Sequence, residues 1–181
     1  AHSFPTDRYV MVQAWNPAMW TPVYTQAVPQ LKTIIQGAGE NSAEAAVANI
    51  WWVWCFHRIT DHFGPIPYTE AGNGQRNVAY TPQDSVYYDF FKRLANATNV
   101  LKSHLGEKPF GAFDLVYGKK ADPVSQWIKF ANTLRLRLAL RISKVNASVA
   151  KTEAEAAVTG GLMTSLDDDA YMPKNTAFYN E

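Results

Sequence analysis

An aromatic and amide-bearing segment near the start of the chain contains the residue types that hold sugar rings. Trp15, Asn16, Trp20 and Tyr24 lie close together in this segment. A sugar ring has apolar C–H faces and a polar hydroxyl rim, so it stacks on an aromatic side chain while neighbouring polar groups bond its hydroxyls. Exposed tryptophan is otherwise unfavourable on a protein surface. We therefore predict that this segment contacts a ligand; burial in the core or against a partner is the alternative.

The loop 61–80 is a second source of ligand contacts. It offers Tyr68, which can stack, and Glu70, which can accept hydrogen bonds. Asp61 at its start is expected instead to cap the preceding turn or to pair with a nearby basic residue such as His57 or Arg58. The predicted ligand contacts are therefore Tyr68 and the four residues of the opening segment.

The sequence predicts no catalytic residue. The carboxylates that could serve an enzyme are Asp61, Glu70, Asp114 and 167–169. A glycosidase needs two carboxylates placed across one bond, and no spacing in this sequence fixes such a pair. The nucleophile elbow, the phosphate-binding loop and the dinucleotide fingerprint are also missing from the sequence. A glycoside hydrolase stays an alternative that would need a cleft with two facing carboxylates.

We also expect no metal site and no cofactor. The four histidines include one pair at i and i+5, His57 and His62, a spacing that does not put two ligands on one helix face. The three consecutive acids 167–169 lack the alternation of a calcium loop. A solvated turn is the expected structure of that acidic run.

The charge balance gives no reason to expect nucleic acid as a partner. Seventeen Lys and Arg residues oppose sixteen Asp and Glu residues, for a formal charge of +1. Arg135, Arg137 and Arg141 form a basic group, but they stand among leucines. Because a guanidinium pairs bidentately with carboxylates, we interpret these arginines as structural ion-pair partners rather than as a binding cluster.

Apolar residues at helical spacing, separated by Gly- and Pro-containing loops, predict an all-α protein. The pattern predicts five helices, over Ala18–Gln36, Ser42–Thr60, 82–101, Pro123–Lys144 and Ala147–Val158, followed by an irregular tail, Leu162–Glu181. Pro29 is expected to kink the first helix or to move its start downstream. The third helix should open with Thr81 as its cap and Pro82 in its first turn. We expect antiparallel helix pairs in a tetratricopeptide-like scaffold with long irregular loops.

The second predicted helix is apolar nearly all round, which indicates packing between two neighbours. Its tryptophans, with one on the fourth helix, have the spacing of core residues rather than of a binding site; they are Trp51, Trp52, Trp54 and Trp127. Cys55 lies in the same apolar run, as a small buried residue would. No stretch of the sequence reaches the length of uninterrupted apolar residues that a membrane span requires.

Two segments resemble a known family. The first, 45–71, reads AAVANIWWVWCFHRITDHFGPIPYTEA: an aromatic helix, Thr-Asp, an aromatic residue, Gly and Pro-Tyr-x-Glu-Ala. The second, 114–143, reads DLVYGKKADPVSQWIKFANTLRLRLALRIS and carries Trp-x-x-Phe-Ala-Asn followed by alternating Leu and Arg. Between them, 80–87 is similar to the family's entry into its next helix. In order and spacing, the chain resembles the SusD/RagB family.

This resemblance implies a surface-exposed lipoprotein of the bacterial outer membrane. Such proteins bind oligosaccharide or polysaccharide without cleaving it and deliver it to a SusC-like TonB-dependent transporter. Family members are longer, so residues 1–181 are expected to form a single helical domain within a longer architecture; the family's lipid-anchor cysteine has no counterpart in this sequence. The main functional alternative is a helical scaffold that docks on the transporter without a sugar site of its own, and a peptide ligand also stays open.

Overall fold

The computed structural model describes residues 17–172, and this range is dominated by helices. The helices are α1 (Pro17–Pro22), α2 (Val28–Ala38), α3 (Ala43–Phe63), α4 (Gln83–Lys102), α5 (Pro123–Ile142) and α6 (Ala147–Thr159). A π-helical turn covers Val23–Ala27, and 3-10 turns cover Gly111–Phe113 and Leu166–Asp168. Two short strands, β1 (Ile66–Pro67) and β2 (Tyr80–Thr81), pair antiparallel with Ile66 opposite Thr81. The prediction of an all-α protein is confirmed.

Helices that follow one another in the chain also pack on one another. The contacts run from α2 to α3, from α3 to α4, from α4 to α5 and from α5 to α6. Connections that reverse the chain between packed neighbours give antiparallel helix pairs. The tetratricopeptide-like scaffold predicted from the sequence is confirmed, and its irregular loops lie between α3 and α4 and between α4 and α5.

Pro29 lies in the first turn of α2. The regular α-helix thus starts downstream of the predicted Ala18, as one form of the prediction had it, although the chain is already helical from Pro17 through α1 and the π-helical turn. A proline removes one backbone donor and crowds the carbonyl four residues before it, here that of Thr25. The π-helical turn over Val23–Ala27 contains this carbonyl. Such a wide turn accommodates the proline while the chain remains helical.

Side-chain caps open two of the helices, whereas the cap predicted for a third is absent. The Ser42 hydroxyl accepts a hydrogen bond from the Ala45 amide at the start of α3, and the Asp122 carboxylate accepts one from the Ser125 amide at the start of α5. Helix α4 begins one residue later than predicted, with Pro82 at the cap position and no side-chain cap. Thr81 instead accepts a hydrogen bond from the Thr69 amide, which ties the strand pair to the loop.

Helix α3 is the centre of the core. It contacts α2, α4 and α5, as its apolar circumference predicts. Ile50, Val53, Phe56 and Ile59 are all fully buried. Of the four tryptophans predicted to be core residues, Trp52 and Trp127 are buried, and the other two are half-buried against the same cluster. Burial of each such large side chain contributes about 1.5–3 kcal/mol. The position of α3 in the core is therefore fixed, and with it the position of Phe63, where the helix ends and the following loop begins.

Candidate ligand-binding site

An open cleft of about 600 Å³ lies beside the amino-terminal helix. We call it the aromatic cleft; its lining residues are Trp20, Tyr24, Pro67, 76–79 and Tyr80. Two elements build it, because α1 and the π-helical turn supply one wall and the segment around the strand pair supplies the other. The cleft therefore joins residues that are more than forty positions apart in the chain.

The rings in and beside the cleft form one continuous surface. The Trp20 ring centroid lies 4.7 Å from that of Tyr24 and 6.4 Å from that of Tyr80. The ring planes of Trp20 and Tyr80 are inclined by 31°. Phe63, at the end of α3, meets Trp20 edge to face at 5.1 Å. A sugar ring held between two aromatic rings would need them about 7–8 Å apart, two van der Waals contacts. The closer spacing favours a ligand that lies over the rings rather than between them.

Solvent reaches this surface from the Tyr80 side. Tyr80 is 63% exposed, and Phe63 is 37% exposed, whereas Trp20 is half-buried. Arg76 and Asn77 are exposed at the rim of the cleft. A guanidinium and an amide beside exposed rings are the groups that bond ligand hydroxyls. The cleft thus combines stacking surface with hydrogen-bonding groups.

Tyr24 fixes one wall of the cleft to the other. Its hydroxyl donates a 2.8 Å hydrogen bond to the Pro67 carbonyl oxygen on β1. Burial, with a smaller effect of Tyr80, raises the pKa of Tyr24 above its usual value, so the phenol stays protonated as a donor. Tyr24 is therefore first a positioning residue, and a part of its ring faces the cleft.

The structure brings two of the predicted site residues together and leaves others apart. Trp20 and Tyr24 meet because a spacing of four residues puts them on one helical face. Trp15 and Asn16 lie outside the described residues, and their contact with ligand stays a prediction. The sequence interpretation missed Tyr80, Phe63, Arg76 and Asn77. The strand pair that carries Tyr80 to Trp20 is only two residues long, too short to give an alternating pattern.

Tyr68 does not belong to the cleft, and we correct that prediction. Its side chain is 4% exposed, and its ring packs edge to face on Phe56 and Phe90. Its hydroxyl donates to the Asp89 carboxylate and accepts from Nε of Arg93 at 3.1 Å. The loop position suggested exposure, but Tyr68 directly follows β1 and lies two residues after the buried Ile66, so its ring is buried with that side chain.

Three of the six carboxylates considered for an enzyme have structural partners. Asp114 accepts from the Trp127 indole N–H at 2.8 Å and from two backbone amides. Asp61 accepts from the Tyr87 hydroxyl and pairs with Arg141 at 3.0 Å, so the prediction of a local basic partner is wrong. Asp168 is buried against Lys129, which corrects the prediction that the whole acidic run is solvated.

The arginine interpretation is confirmed for two residues. Arg135 pairs with Glu153 at 2.6 Å, and Arg141 pairs with Asp61. Within residues 17–172, Arg137 has no ion pair. The group that looked like a binding cluster in sequence is therefore mainly a set of links between helices.

In the part of the chain that the structure describes, no three His, Cys, Asp or Glu side chains gather in a way that could hold a metal ion. No helix between residues 17 and 172 has the length and apolar character needed to cross a membrane.

Helices packed in sequence as antiparallel pairs, with an open aromatic cleft on their surface, define a tetratricopeptide-like helical protein. The family model described as "SusD-like: Susd and RagB outer membrane lipoprotein" matches residues 2–181. The chain belongs to this SusD-like family. The resemblance stated from its motifs is confirmed.

Solved relatives agree with this membership. A SusD-like protein from Bacteroides thetaiotaomicron is 32% identical, with a TM-score of 0.83 over 90% of this chain and 34% of that chain. A chitin-binding SusD homologue from Flavobacterium johnsoniae is 35% identical, with a TM-score of 0.80 over 88% of this chain and 34% of that one. The present chain thus spans about one third of their length. No curated protein matches the chain significantly.

Proposed function

We propose that this chain binds oligosaccharide at the bacterial outer surface without cleaving it, as part of a longer SusD-like lipoprotein. The protein would deliver the bound glycan to a SusC-like TonB-dependent transporter. The aromatic cleft is the observation that carries the proposal. Trp20 and Tyr80 present a shared ring surface, and Arg76 and Asn77 offer hydrogen bonds at its rim.

Family membership supports both the ligand class and the location. The family is described as outer membrane lipoproteins, and the relative from Flavobacterium johnsoniae is described as chitin-binding. Chito-oligosaccharides are therefore the first ligands to test. Three of the six candidate carboxylates, Asp61, Asp114 and Asp168, are held by structural partners, which favours binding without hydrolysis, because a glycosidase needs two carboxylates placed across the scissile bond.

A scaffold function is the second candidate, and one specific surface favours it. Phe113 is 90% exposed and Leu115 is 61% exposed. Both line an apolar groove of about 270 Å³ with Ile34, Trp51 and Phe110. Exposed apolar surface of this kind marks a contact with another protein or another part of a longer chain. In this alternative, the helices dock on the transporter and carry no sugar site.

Calorimetric titration with a panel of oligosaccharides tests the proposal. We expect saturable heat with at least one neutral oligosaccharide, and binding weakened about tenfold by Trp20→Ala or Tyr80→Ala, because removal of a stacking ring costs about 1–2 kcal/mol. Tyr171→Ala is the matched control, since Tyr171 is 67% exposed and lies outside the cleft. Chromatography of the titrated sample should show no shortened saccharide.

Two results would contradict the proposal. No heat with any saccharide from folded protein would favour the scaffold function. Equal saccharide binding by wild type and both cleft variants would instead remove the sugar site from the aromatic cleft. Binding to the transporter that survives Trp20→Ala but is lost in Phe113→Ala would point to the apolar groove.

A further inference from the structure

A second groove, of about 490 Å³, lies at the same end of the helical array as the aromatic cleft. We call it the α4–α5 groove. The start of α4 forms one wall, and the end of α5 with the turn that follows forms the other. The lining residues that could contact a ligand are Asp84, Tyr88, Arg141, Val145 and Asn146.

The floor of the groove is a fixed guanidinium. Nε of Arg141 donates to the Tyr87 hydroxyl at 3.1 Å and lies 3.0 Å from Oδ2 of Asp61. The Tyr87 hydroxyl donates in turn to the same carboxylate. Within the described residues, the hydrogen bonds of Arg141 use Nε alone, and its side chain is 45% exposed. Its two terminal amino groups therefore remain free to donate to a ligand.

The wall of the groove is an exposed aromatic ring held in one orientation. Tyr88 is 45% exposed, and its hydroxyl accepts a 3.1 Å hydrogen bond from Nδ2 of Asn146. The Asn146 carboxamide is itself fixed, because its oxygen accepts from the Val149 amide as the cap of α6. A ring fixed before binding loses little conformational freedom when a ligand stacks on it.

The charges of the groove favour a neutral ligand. Its ionisable lining groups are the carboxylates of Asp61 and Asp84 and the guanidinium of Arg141, so the formal charge is one negative. An acidic ligand would meet Asp84 at the rim. Hydroxyl groups, in contrast, can donate to Asp84 and accept from Arg141.

We propose that the α4–α5 groove is a second saccharide-binding site, which takes a neutral sugar unit stacked on Tyr88 and bonded by Arg141 and Asp84. The ligand class rests on the proposed function, whereas the site itself rests on the groove. Tyr80 lines the aromatic cleft and Gln83 lines the groove, and three residues of extended chain span at most about 10 Å. An oligosaccharide of several units is therefore long enough to cover the distance between these two lining residues.

Amide chemical shifts of the isotope-labelled chain, titrated with neutral oligosaccharides of increasing length, test the two sites separately. Amides of Val145 and Asn146 report on the groove, and those of Val78 and Tyr80 report on the aromatic cleft. We expect longer saccharides to shift both sets. Tyr88→Ala should weaken the response at the groove about tenfold, as removal of an aromatic anchor does, while the cleft amides still respond to a short saccharide.

Two further variants and the control used above complete the test. Val145→Arg places a bulky side chain at an 84% exposed rim position and should block the groove without disturbing the core. Tyr88→Phe keeps the stacking ring and should retain most of the binding, whereas Tyr171→Ala should bind like wild type.

The outcomes separate the two proposals. Shifts at the cleft alone, with saturating long saccharide, overturn the second site and leave the proposed function intact. Shifts at the groove alone support the second site and contradict the aromatic cleft. No shift at either set overturns both. Tighter groove binding of a uronic-acid oligosaccharide than of a neutral one overturns the assignment to a neutral ligand.

Discussion

Nε of Arg135 on α5 donates to Oε2 of Glu153 on α6 at 2.6 Å, and the two side chains are only 14% and 17% exposed. Removal of one partner leaves a mostly buried charge without its counterion. We expect Glu153→Gln or Arg135→Met to lower the free energy of unfolding by about 2 kcal/mol, between the costs of breaking an exposed pair and a fully buried pair. Urea denaturation followed by circular dichroism measures this loss.

The double variant Arg135→Met/Glu153→Leu is the control for that prediction. Apolar replacement of both partners often restores the stability that either single change removes. We therefore expect the double variant to unfold closer to wild type than either single variant does. Additive losses would show that the pair contributes through separate packing contacts and not through mutual neutralisation.

Tyr24→Phe separates the structural from the ligand-contacting part of this residue. The substitution removes the 2.8 Å hydrogen bond to the Pro67 carbonyl and keeps the ring beside Trp20. We expect a stability loss of about 1 kcal/mol and an affinity for oligosaccharide within about twofold of wild type. Tyr24→Ala should lower both stability and affinity. A large loss of affinity in Tyr24→Phe would assign the hydroxyl to the ligand.

A methyl group at Gly118 should be costly, whereas one at Gly37 should not. A Cβ at Gly118 would lie 2.5 Å from the carbonyl oxygens of Asp114 and Gly111, and backbone atoms cannot move aside easily. We expect Gly118→Ala to destabilise the protein by about 2 kcal/mol. Gly37 lies in α2 with open space around its Cα, so Gly37→Ala should stabilise by about 0.5 kcal/mol. Thermal melts of both variants compare the two.

Much of the fold was predictable because helix signals are local. The Ser42 and Asp122 caps and the apolar spacing of α3 and α5 depend on residues within one or two turns of each other. The errors came where tertiary contacts decide. The π-helical turn before Pro29 was not predicted, and Thr81 accepts from the Thr69 amide in the loop after β1 instead of capping α4.

The candidate site was predictable only on its helical side. The spacing of Trp20 and Tyr24 alone places them on one helical face. Tyr80 is brought beside Trp20 by a strand pair that is too short to show an alternating apolar pattern in the sequence. The burial of Tyr68 depends on Asp89 and Arg93, which lie on α4. Likewise, Asp61 pairs with Arg141, eighty positions away, rather than with a neighbour on its own helix.

The buried carboxylate of Asp168 should make stability depend on acid pH. Its Oδ1 accepts from Nζ of Lys129 at 2.6 Å, and its Oδ2 accepts from the amides of Thr164 and Ser165. The lysine, then these amides, hold the pKa of Asp168 well below its usual range. A depressed pKa stabilises the fold above the unfolded-state value of about 4, and this stabilisation is lost as the pH falls toward the folded-state value.

Thermal melts of Asp168→Asn and wild type between about pH 7 and pH 2 test this linkage. We expect the variant to melt at lower temperature at neutral pH, and the difference to shrink as acid protonates Asp168 in the wild type. Asp167→Asn is the control, because that side chain is exposed and, among residues 17–172, Asp167 accepts a hydrogen bond only at its backbone carbonyl, from Lys120. A difference in melting temperature that stays constant from neutral to acid pH would mean that Asp168 contributes through packing and not through its charge.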